Sequence, residues 1–332
     1  MKQRYEEIDI MRGVSIIAMV IIHTAAYYLN NPTIFALWDV LEFAVPIFVF
    51  CSGYLFYKQE YHKHISHSLA YFKKRLGRML IPYYYALLVY IPLIAIAEPH
   101  RITPEFLLKN LTVTGGIDFN WMVLLFLQLS FLMPLLLFMM TRQRRAFIAY
   151  VVLTAISTII FLFFPAREYS RILMGLPWSL IILFSWLVAK YETHMRKLAI
   201  LFAASAIMFY FTMWMRWTLG LPVDQYANKY PPNLLHLSYG FMSIIGLWHV
   251  AHVLKKSHGH VRHLIAFFSN YSYTIFLIHI VVMYVITTVF KVEPATLGFP
   301  VFTAQVFILT VAVQLAINYV QRFSTLKRGP TI

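Results

Sequence analysis

An arginine and a histidine interrupt the first apolar stretch of the chain, which covers residues 8–29. Arg12 and His23 are eleven positions apart, which is about three helical turns and roughly 16 Å of helix. In a spanning helix, Arg12 would lie at the membrane surface and His23 near the middle, on about the same face. An ionisable side chain there is a functional candidate by default. His23 can accept a proton from an alcohol, or it can be a histidine that only hydrogen-bonds within a bundle.

The second apolar stretch, residues 34–57, carries two carboxylates near its start. Asp39 is expected in the outer interface, where it is a candidate for substrate binding. Glu42 lies deeper and is a candidate catalytic residue, because it can orient or polarise the histidine of the first stretch. The alternative for both residues is an interfacial carboxylate that is paired with a nearby base.

A dense cationic cluster follows in the sequence FKKRLGRMLIP. Arg75 and Arg78 share a helical face, and arginine is suited to bidentate phosphate binding. Together with Arg12 they predict a pocket for a phosphorylated cofactor at the cytoplasmic surface, with Lys74 and Ser52 as further candidates. The alternative is topology alone, because cytoplasmic loops of membrane proteins are basic in any case.

Three further polar residues are candidates for binding a substrate. Asn120 and Trp121 begin the fourth apolar stretch, where a tryptophan can stack on a sugar or simply anchor a helix in the interface. His279 lies in the ninth stretch, where it can contact a substrate or hydrogen-bond within the bundle. No metal site is predicted, because the clustered histidines lack carboxylate or cysteine partners in a fixed pattern. These histidines are His62, His64 and His67 in one loop, and His258, His260 and His263 in another.

These candidates belong to a chain that is 60% hydrophobic and 12% charged, with a mean hydropathy of +0.68. A soluble domain carries about twice that share of charge. The apolar segments are continuous and nearly of spanning length, which favours helices over strands. We therefore predict an all-α polytopic membrane bundle of ten helices that forms a single domain over residues 1–332. The segments are 8–29, 34–57, 79–97, 118–140, 146–164, 173–189, 198–219, 233–254, 264–290 and 299–320.

The distribution of charge predicts how the bundle lies in the membrane. Of the 28 Lys and Arg residues, 21 lie at the N-terminal end of the first segment or in every second loop after it. That alternation is the positive-inside pattern, and it predicts an even number of spans with both termini in the cytoplasm. We therefore attribute the net charge of +15 to the basic loops that orient the protein in the membrane, and we expect no nucleic-acid partner. The chain is expected to be a multi-pass protein of the plasma membrane. The single cysteine, Cys51, excludes an intramolecular disulfide.

Several of these motifs, taken together and in this order, resemble the acyltransferase 3 family of membrane O-acyltransferases. The resemblance covers nearly the whole chain and rests on the arginine and histidine of the first segment and on four later pieces. Within the family, the short length is most similar to the intercellular-adhesion group, which O-succinylates the polysaccharide poly-N-acetylglucosamine. The matching pieces are DIMRGVSIIAMVIIH, VPIFVFCSGYLF, KKRLGRMLIPYY, NWMVLLFLQL and YSYTIFLIH.

The resemblance implies a mechanism that crosses the membrane. Succinyl-CoA or acetyl-CoA docks as a co-substrate on the cytoplasmic face, with its phosphates near Arg12, Arg75 and Arg78. An extracellular glycan brings the acceptor hydroxyl, and His23 acts as the general base. No permanently bound cofactor is implied, and a homo-oligomer is compatible with the sequence.

Two other classes of function share the composition of this chain. A transporter or flippase for a polysaccharide or lipid-linked sugar also needs a multi-span bundle with polar residues inside it. The sequence lacks the paired Gly/Pro-interrupted segments that mark many transporter sites, which disfavours that class. A membrane scaffold without chemistry would need neither Arg12 nor His23.

Overall fold

The structure is a computed structural model that describes residues 5–60, 68–117, 119–255 and 260–326. Within these ranges the chain is all-helical and contains no strand, which confirms the predicted fold class. A π-helical turn, Val285–Val289, extends one of the helices. The helices are α1 (Glu6–Ala25), α2 (Pro32–Leu41), α3 (Ala44–Glu60), α4 (Ser68–Ala97), α5 (Pro104–Leu111), α6 (Asn120–Arg142), α7 (Arg144–Phe163), α8 (Ser170–Leu173), α9 (Gly175–Tyr191), α10 (Met195–Thr218), α11 (Leu234–Leu254), α12 (His260–Asn270), α13 (Ser272–Tyr284), α14 (Pro294–Leu297) and α15 (Phe299–Leu326).

Ten helical stretches in the described ranges are long and apolar enough to cross a membrane, which confirms the predicted number of spans. The boundaries differ in three places. The third span begins at Ala70 rather than at residue 79, because its basic start is also helical. The second span is broken in the middle, and the ninth is shorter at its start.

The break in the second span places a carboxylate inside the bundle. Asn31 caps the start of helix α2, because its side chain accepts hydrogen bonds from the backbone N–H groups of the first turn, and Pro32 follows it. Glu42 follows the last residue of α2, and the chain turns there before α3 begins. Pro46 lies in the first turn of α3, where the missing N–H of a proline costs nothing. The turn leaves Glu42 almost fully buried, at 1% exposure.

The predicted ninth span, residues 264–290, is wrong at its start, because residues 260–270 form the separate helix α12. This helix is amphipathic and packs along the first half of α1 rather than continuing into α13. Arg262 pairs with Glu6 at 2.5 Å, and Ser269 donates a hydrogen bond to Asp9 at 3.3 Å. Polar contacts between α12 and the start of α1 therefore hold this segment beside the spanning helices.

Helix α1 lies at the centre of the bundle. It packs against α2, α3, α11, α12, α13 and α15, and most of its residues are buried. Helix α13 packs on α15 and on α4, so it lies beside α1 along the half that contains His23. Contacts between helix ends show how some spans are directed. Lys255 at the end of α11 pairs with Glu7 at the start of α1, and Tyr284 at the end of α13 bonds to Glu98 just after α4.

The close approach of α12 to α1 depends on Gly13 and gives a first prediction. A Cβ atom at Gly13 would lie 2.6 Å from the backbone oxygen of Ile265 and 2.8 Å from its Cγ2. We expect Gly13→Ala to lower the free energy of unfolding by about 1–3 kcal/mol, because α12 would have to move. The matched control is Gly246→Ala, where the nearest atom to the added Cβ lies 3.8 Å away. Thermal unfolding in detergent should show a loss for the first variant and no loss for the second.

Candidate active site

A cavity of about 800 Å³ opens at one end of the bundle, a volume typical of small-ligand pockets. Its floor is formed by the last turns of α1 and by α13, and its walls by α4, α6 and two long loops. His23 therefore lies in the last turn of α1, closer to the end of the first span than the expected middle. We call this end the cavity face; it holds loops 98–103 and 220–232. The opposite end, which holds the starts of α1 and α4, is called the basic face. The polar and aromatic lining residues are His23, Tyr27, Trp38, Glu42, Tyr90, Glu98, Arg101, Phe119, Trp121, Ser170, Arg171, Tyr226, Lys229, Tyr230, Phe276, Tyr284, Thr287 and Thr288.

Two histidines from different helices meet at the floor of this cavity. His23 Nδ1 lies 2.7 Å from His279 Nε2, and the two rings are nearly parallel, with an interplanar angle of 14°. His23 lines the cavity and is partly exposed to it. His279 is fully buried behind it, and its Nδ1 lies 3.0 Å from the backbone oxygen of Ile275. The sequence predicted both residues as candidates, and the fold brings them into direct contact.

The contacts of His279 determine which nitrogen of His23 is free. A carbonyl oxygen only accepts, so His279 Nδ1 must carry the proton that it donates to Ile275. In a neutral imidazole the other nitrogen is then an acceptor, and His279 Nε2 accepts a hydrogen bond from His23 Nδ1–H. His23 Nε2 is therefore left with an unshared pair on the ring edge away from His279. With this tautomer, His23 Nε2 can accept a proton.

A buried ion pair lies in the wall of the cavity. Lys229 Nζ lies 2.7 Å from a carboxylate oxygen of Glu42, and the two side chains are 6% and 1% exposed. The ammonium also faces the ring of Trp121 at 5.1 Å and that of Tyr230 at 5.4 Å. Glu42 is thus paired with a base, which is the alternative that the sequence left open for this residue.

Sequence reasoning missed Lys229 as a site residue. It lies in loop 220–232, where no helical or strand period indicates the direction of a side chain. The signal available was its position, because a lysine in a loop opposite the basic ones departs from the positive-inside pattern.

Asp39 holds this same loop in place. Its carboxylate accepts a hydrogen bond from the backbone N–H of Gln225 at 2.5 Å. His236 in α11 contacts the side chain of Gln225 at 3.2 Å, and Asn228 donates to the backbone oxygens of Pro222 and Asp224. Asp39, a candidate for substrate binding, is therefore placed beside the wall of the cavity with a contact to the loop.

Asn120 supports a second part of the wall. Its amide nitrogen donates to the backbone oxygen of Gly115, and its amide oxygen accepts from Arg171 at 2.7 Å. Gly116 has a φ of 90°, and a Cβ there would collide with the amide of Asn110. The loop before α6 is thus tightly built, and Asn120 is fully buried within it. Trp121, its neighbour, faces the cavity as the sugar-stacking interpretation requires.

The rim of the cavity carries hydrogen-bonding groups from α13 and from the loop after α4. Tyr284 donates to Glu98 at 2.8 Å and holds the pKa of that carboxyl below its usual value, and Arg101 pairs with Glu98 at 2.8 Å. Thr287 and Thr288 line the cavity from the π-helical turn. Such turns occur frequently at functional sites.

The predicted cofactor residues lie away from the cavity, toward the basic face. Arg75 turns inward and donates to Ser52 at 2.9 Å and to Ser130 at 2.6 Å. The fold therefore joins Arg75 and Ser52, two candidates from different helices. Lys74 and Arg78 are exposed, and Arg12 is partly buried near the start of α1. Along α6, Ser130 lies about 12 Å from Met122 at the cavity wall.

The described part of the chain contains no cluster of His, Cys, Asp or Glu that could hold a metal ion. Of the two histidine groups noted in the sequence, His62, His64, His67 and His258 lie outside the described residues.

The fold and the cavity define a class of protein: a polytopic helical membrane protein with a histidine pair at the floor of a polar cavity. Residues 5–319 match the acyltransferase domain of the acyltransferase 3 family, and the protein therefore belongs to that family. Among curated proteins and among solved structures, none matches this chain. Membership confirms the resemblance at the level of the family and supports membrane O-acyltransferase activity.

Proposed function

We propose that the protein transfers an acyl group, succinyl or acetyl, from cytoplasmic acyl-CoA to a hydroxyl of an extracytoplasmic polysaccharide such as poly-N-acetylglucosamine. The observation that carries the proposal is the histidine pair. His23 is held by His279 with one nitrogen free, at the floor of a cavity large enough for a sugar. Family membership supports the reaction class, and the histidine pair supplies the base that this reaction needs.

The proposed chemistry is a single proton-coupled acyl transfer. The acceptor hydroxyl donates its proton to His23 Nε2 while its oxygen attacks the thioester carbonyl. The new C–O bond forms the ester and the C–S bond of the thioester breaks. The CoA thiolate then accepts the proton from the imidazolium of His23. General-base help of this kind is typically worth about 10²–10⁴-fold in rate. Positioning the thioester and the hydroxyl together can contribute as much again.

The sidedness of the protein agrees with this route. We take the basic face as cytoplasmic, from the positive-inside pattern, so the cavity face looks outward. The arginines of the first and third spans then lie on the side where acyl-CoA is available. Aromatic residues around the cavity offer flat apolar faces for the C–H face of a sugar ring. Trp121 and Tyr230 face Lys229, and Tyr226 packs against Tyr230.

A transporter or flippase is the alternative function for the same bundle. The two functions differ in whether an acyl donor is needed. Purified protein in liposomes would move a glycan without any acyl donor if transport were the activity. Flux under those conditions would favour transport over acyl transfer.

Binding of the donor gives a second prediction. We expect CoA, acetyl-CoA or succinyl-CoA to raise the melting temperature of the purified protein, because a ligand that binds only the folded state stabilises it. At 100 times its Kd a ligand contributes about 2.7 kcal/mol. We expect the shift to fall in a Lys74→Ala/Arg78→Ala variant, whose two side chains are exposed on the basic face.

The control for this experiment is Arg142→Ala, which removes an exposed charge at the end of α6 on the same face. Arg75 is less suitable as a first variant, because its loss also removes hydrogen bonds to Ser52 and Ser130. An equal shift in all three proteins would place the CoA site elsewhere. No shift with any CoA compound would contradict the proposed donor.

A further inference from the structure

The charges that line the cavity do not balance. Among the described lining residues there are three cations and two carboxylates. Lys229 is paired with Glu42, and Arg101 is paired with Glu98. Arg171 is the remaining cation, and the described part of the chain offers it no carboxylate partner. Its positive charge is therefore available to a ligand in the cavity.

Arg171 is also held in a defined position. One Nη1–H group donates to the amide oxygen of Asn120 at 2.7 Å, and that amide cannot turn around because its nitrogen donates to Gly115. The backbone oxygen of Arg171 accepts a hydrogen bond from Gln128 in α6 at 2.8 Å. A guanidinium has five N–H donors, and Asn120 accepts only one of them among the described residues. A fixed arginine with several unused donors is suited to an anion with two acceptor oxygens.

We propose that Arg171 is the carboxylate-binding residue of the cavity. The ligand chemistry is a carboxylate on the bound substrate, held by the forked N–H groups of the guanidinium. This carboxylate belongs either to the acyl group, as in a succinyl donor, or to an acidic sugar of the acceptor. The proposal rests on the proposed function, and it names the chemical class of one of the two substrates.

Arginine rather than lysine suits this position. The planar guanidinium can keep its bond to Asn120 while it presents other N–H groups to a carboxylate. Lys229, another cation of the cavity lining, has its charge met by Glu42 at 2.7 Å. A dicarboxylic acyl chain or a uronate that entered this cavity would thus find one positive charge that no described carboxylate neutralises.

The first test measures binding, so that its outcome does not depend on catalysis. Melting temperatures of wild type and Arg171→Gln are compared with succinyl-N-acetylcysteamine and acetyl-N-acetylcysteamine, which lack the nucleotide of CoA. A second arm uses an oligosaccharide containing glucuronate beside its neutral glucose counterpart. Glutamine can still donate to Asn120, so the loop before α6 is expected to keep its structure.

One outcome is that the succinyl compound stabilises wild type, the acetyl compound does not, and the effect is lost in Arg171→Gln. This result assigns the carboxylate to the acyl group. Stabilisation by the acidic sugar alone, again lost in the variant, assigns it to the acceptor. Arg142→Gln controls for the removal of a charge elsewhere. If wild type and Arg171→Gln respond alike to all four compounds, the proposal is overturned.

The activity assay separates failure of this proposal from failure of the proposed function. If wild type transfers both acetyl and succinyl groups, Arg171→Gln should raise KM for the succinyl donor at least tenfold and leave KM for the acetyl donor within twofold. If the carboxylate belongs to the acceptor, the same difference in KM should appear between acidic and neutral acceptors. Equal losses for charged and neutral substrates would show that Arg171 is only structural. Wild type that binds the carboxylate but transfers no acyl group would contradict the proposed function and leave the binding site standing.

Discussion

Replacing His23 with alanine is expected to lower the rate of acyl transfer by about 10²–10⁴-fold, the usual contribution of a general base. The loss follows from the geometry, because His23 is the member of the histidine pair that lines the cavity. The measurement is transfer of a labelled acyl group to an oligosaccharide by purified protein in detergent. The effect should appear in kcat, since the base acts on the reacting hydroxyl rather than on donor binding.

A matched control keeps the packing of His23 and removes only its basic nitrogen. In His23→Gln the amide N–H groups can still donate to His279 Nε2, so the buried partner keeps its hydrogen bond. We expect this variant to melt near the wild-type temperature and to be nearly as inactive as the alanine variant. A glutamine variant with substantial activity would contradict the general-base role and leave His23 as a packing residue.

The partner histidine is expected to act through His23 and not on the substrate. His279→Ala leaves the Nδ1–H of His23 without its acceptor, so the reactive tautomer is no longer fixed. We expect a fall in kcat that is smaller than for His23→Ala, with little change in KM. His279→Gln should restore part of the rate, because its amide oxygen can accept from His23.

The histidine pair also shows how far the sequence alone leads. His23 stands out because an ionisable residue interrupts an apolar run. His279 is visible for the same reason, and the sequence names both as site candidates. Their contact is not readable, because they are 256 positions apart and helix packing decides which faces meet. The relation of the two residues comes only from the central position of α1.

Residues in the loops are the hardest to predict. Lys229 lies in loop 220–232 and Arg171 in the four-residue helix α8, both on the cavity face, where no period indicates whether a side chain points into the bundle. Both are basic residues on the less basic side, and that departure from the charge pattern was the available signal. The helices were predicted well in number, because continuous hydrophobicity of spanning length is a strong signal. The exact ends of the helices were not predicted well. The amphipathic α12 is followed by the spanning α13 without an intervening loop, so the two were read as one segment.

Removing one partner of the buried ion pair is expected to cause a large loss of stability. Lys229→Met leaves the carboxylate of Glu42, which is only 1% exposed, without its ammonium. An uncompensated buried charge of this kind typically costs about 3–5 kcal/mol, and the apolar methionine offers it nothing in return. Thermal unfolding in detergent should show the loss as a large fall in melting temperature.

The double variant Glu42→Leu/Lys229→Met separates the cost of the lone charge from the value of the pair. Replacing both partners with apolar side chains is often neutral or stabilising, so we expect the double variant to melt close to wild type. Its activity should still be low if the pair also shapes the acceptor site, because the ammonium faces Trp121 and Tyr230 across the cavity wall. A single variant as stable as the double one would mean that water in the cavity solvates Glu42. The ion pair would then serve the site and not the fold.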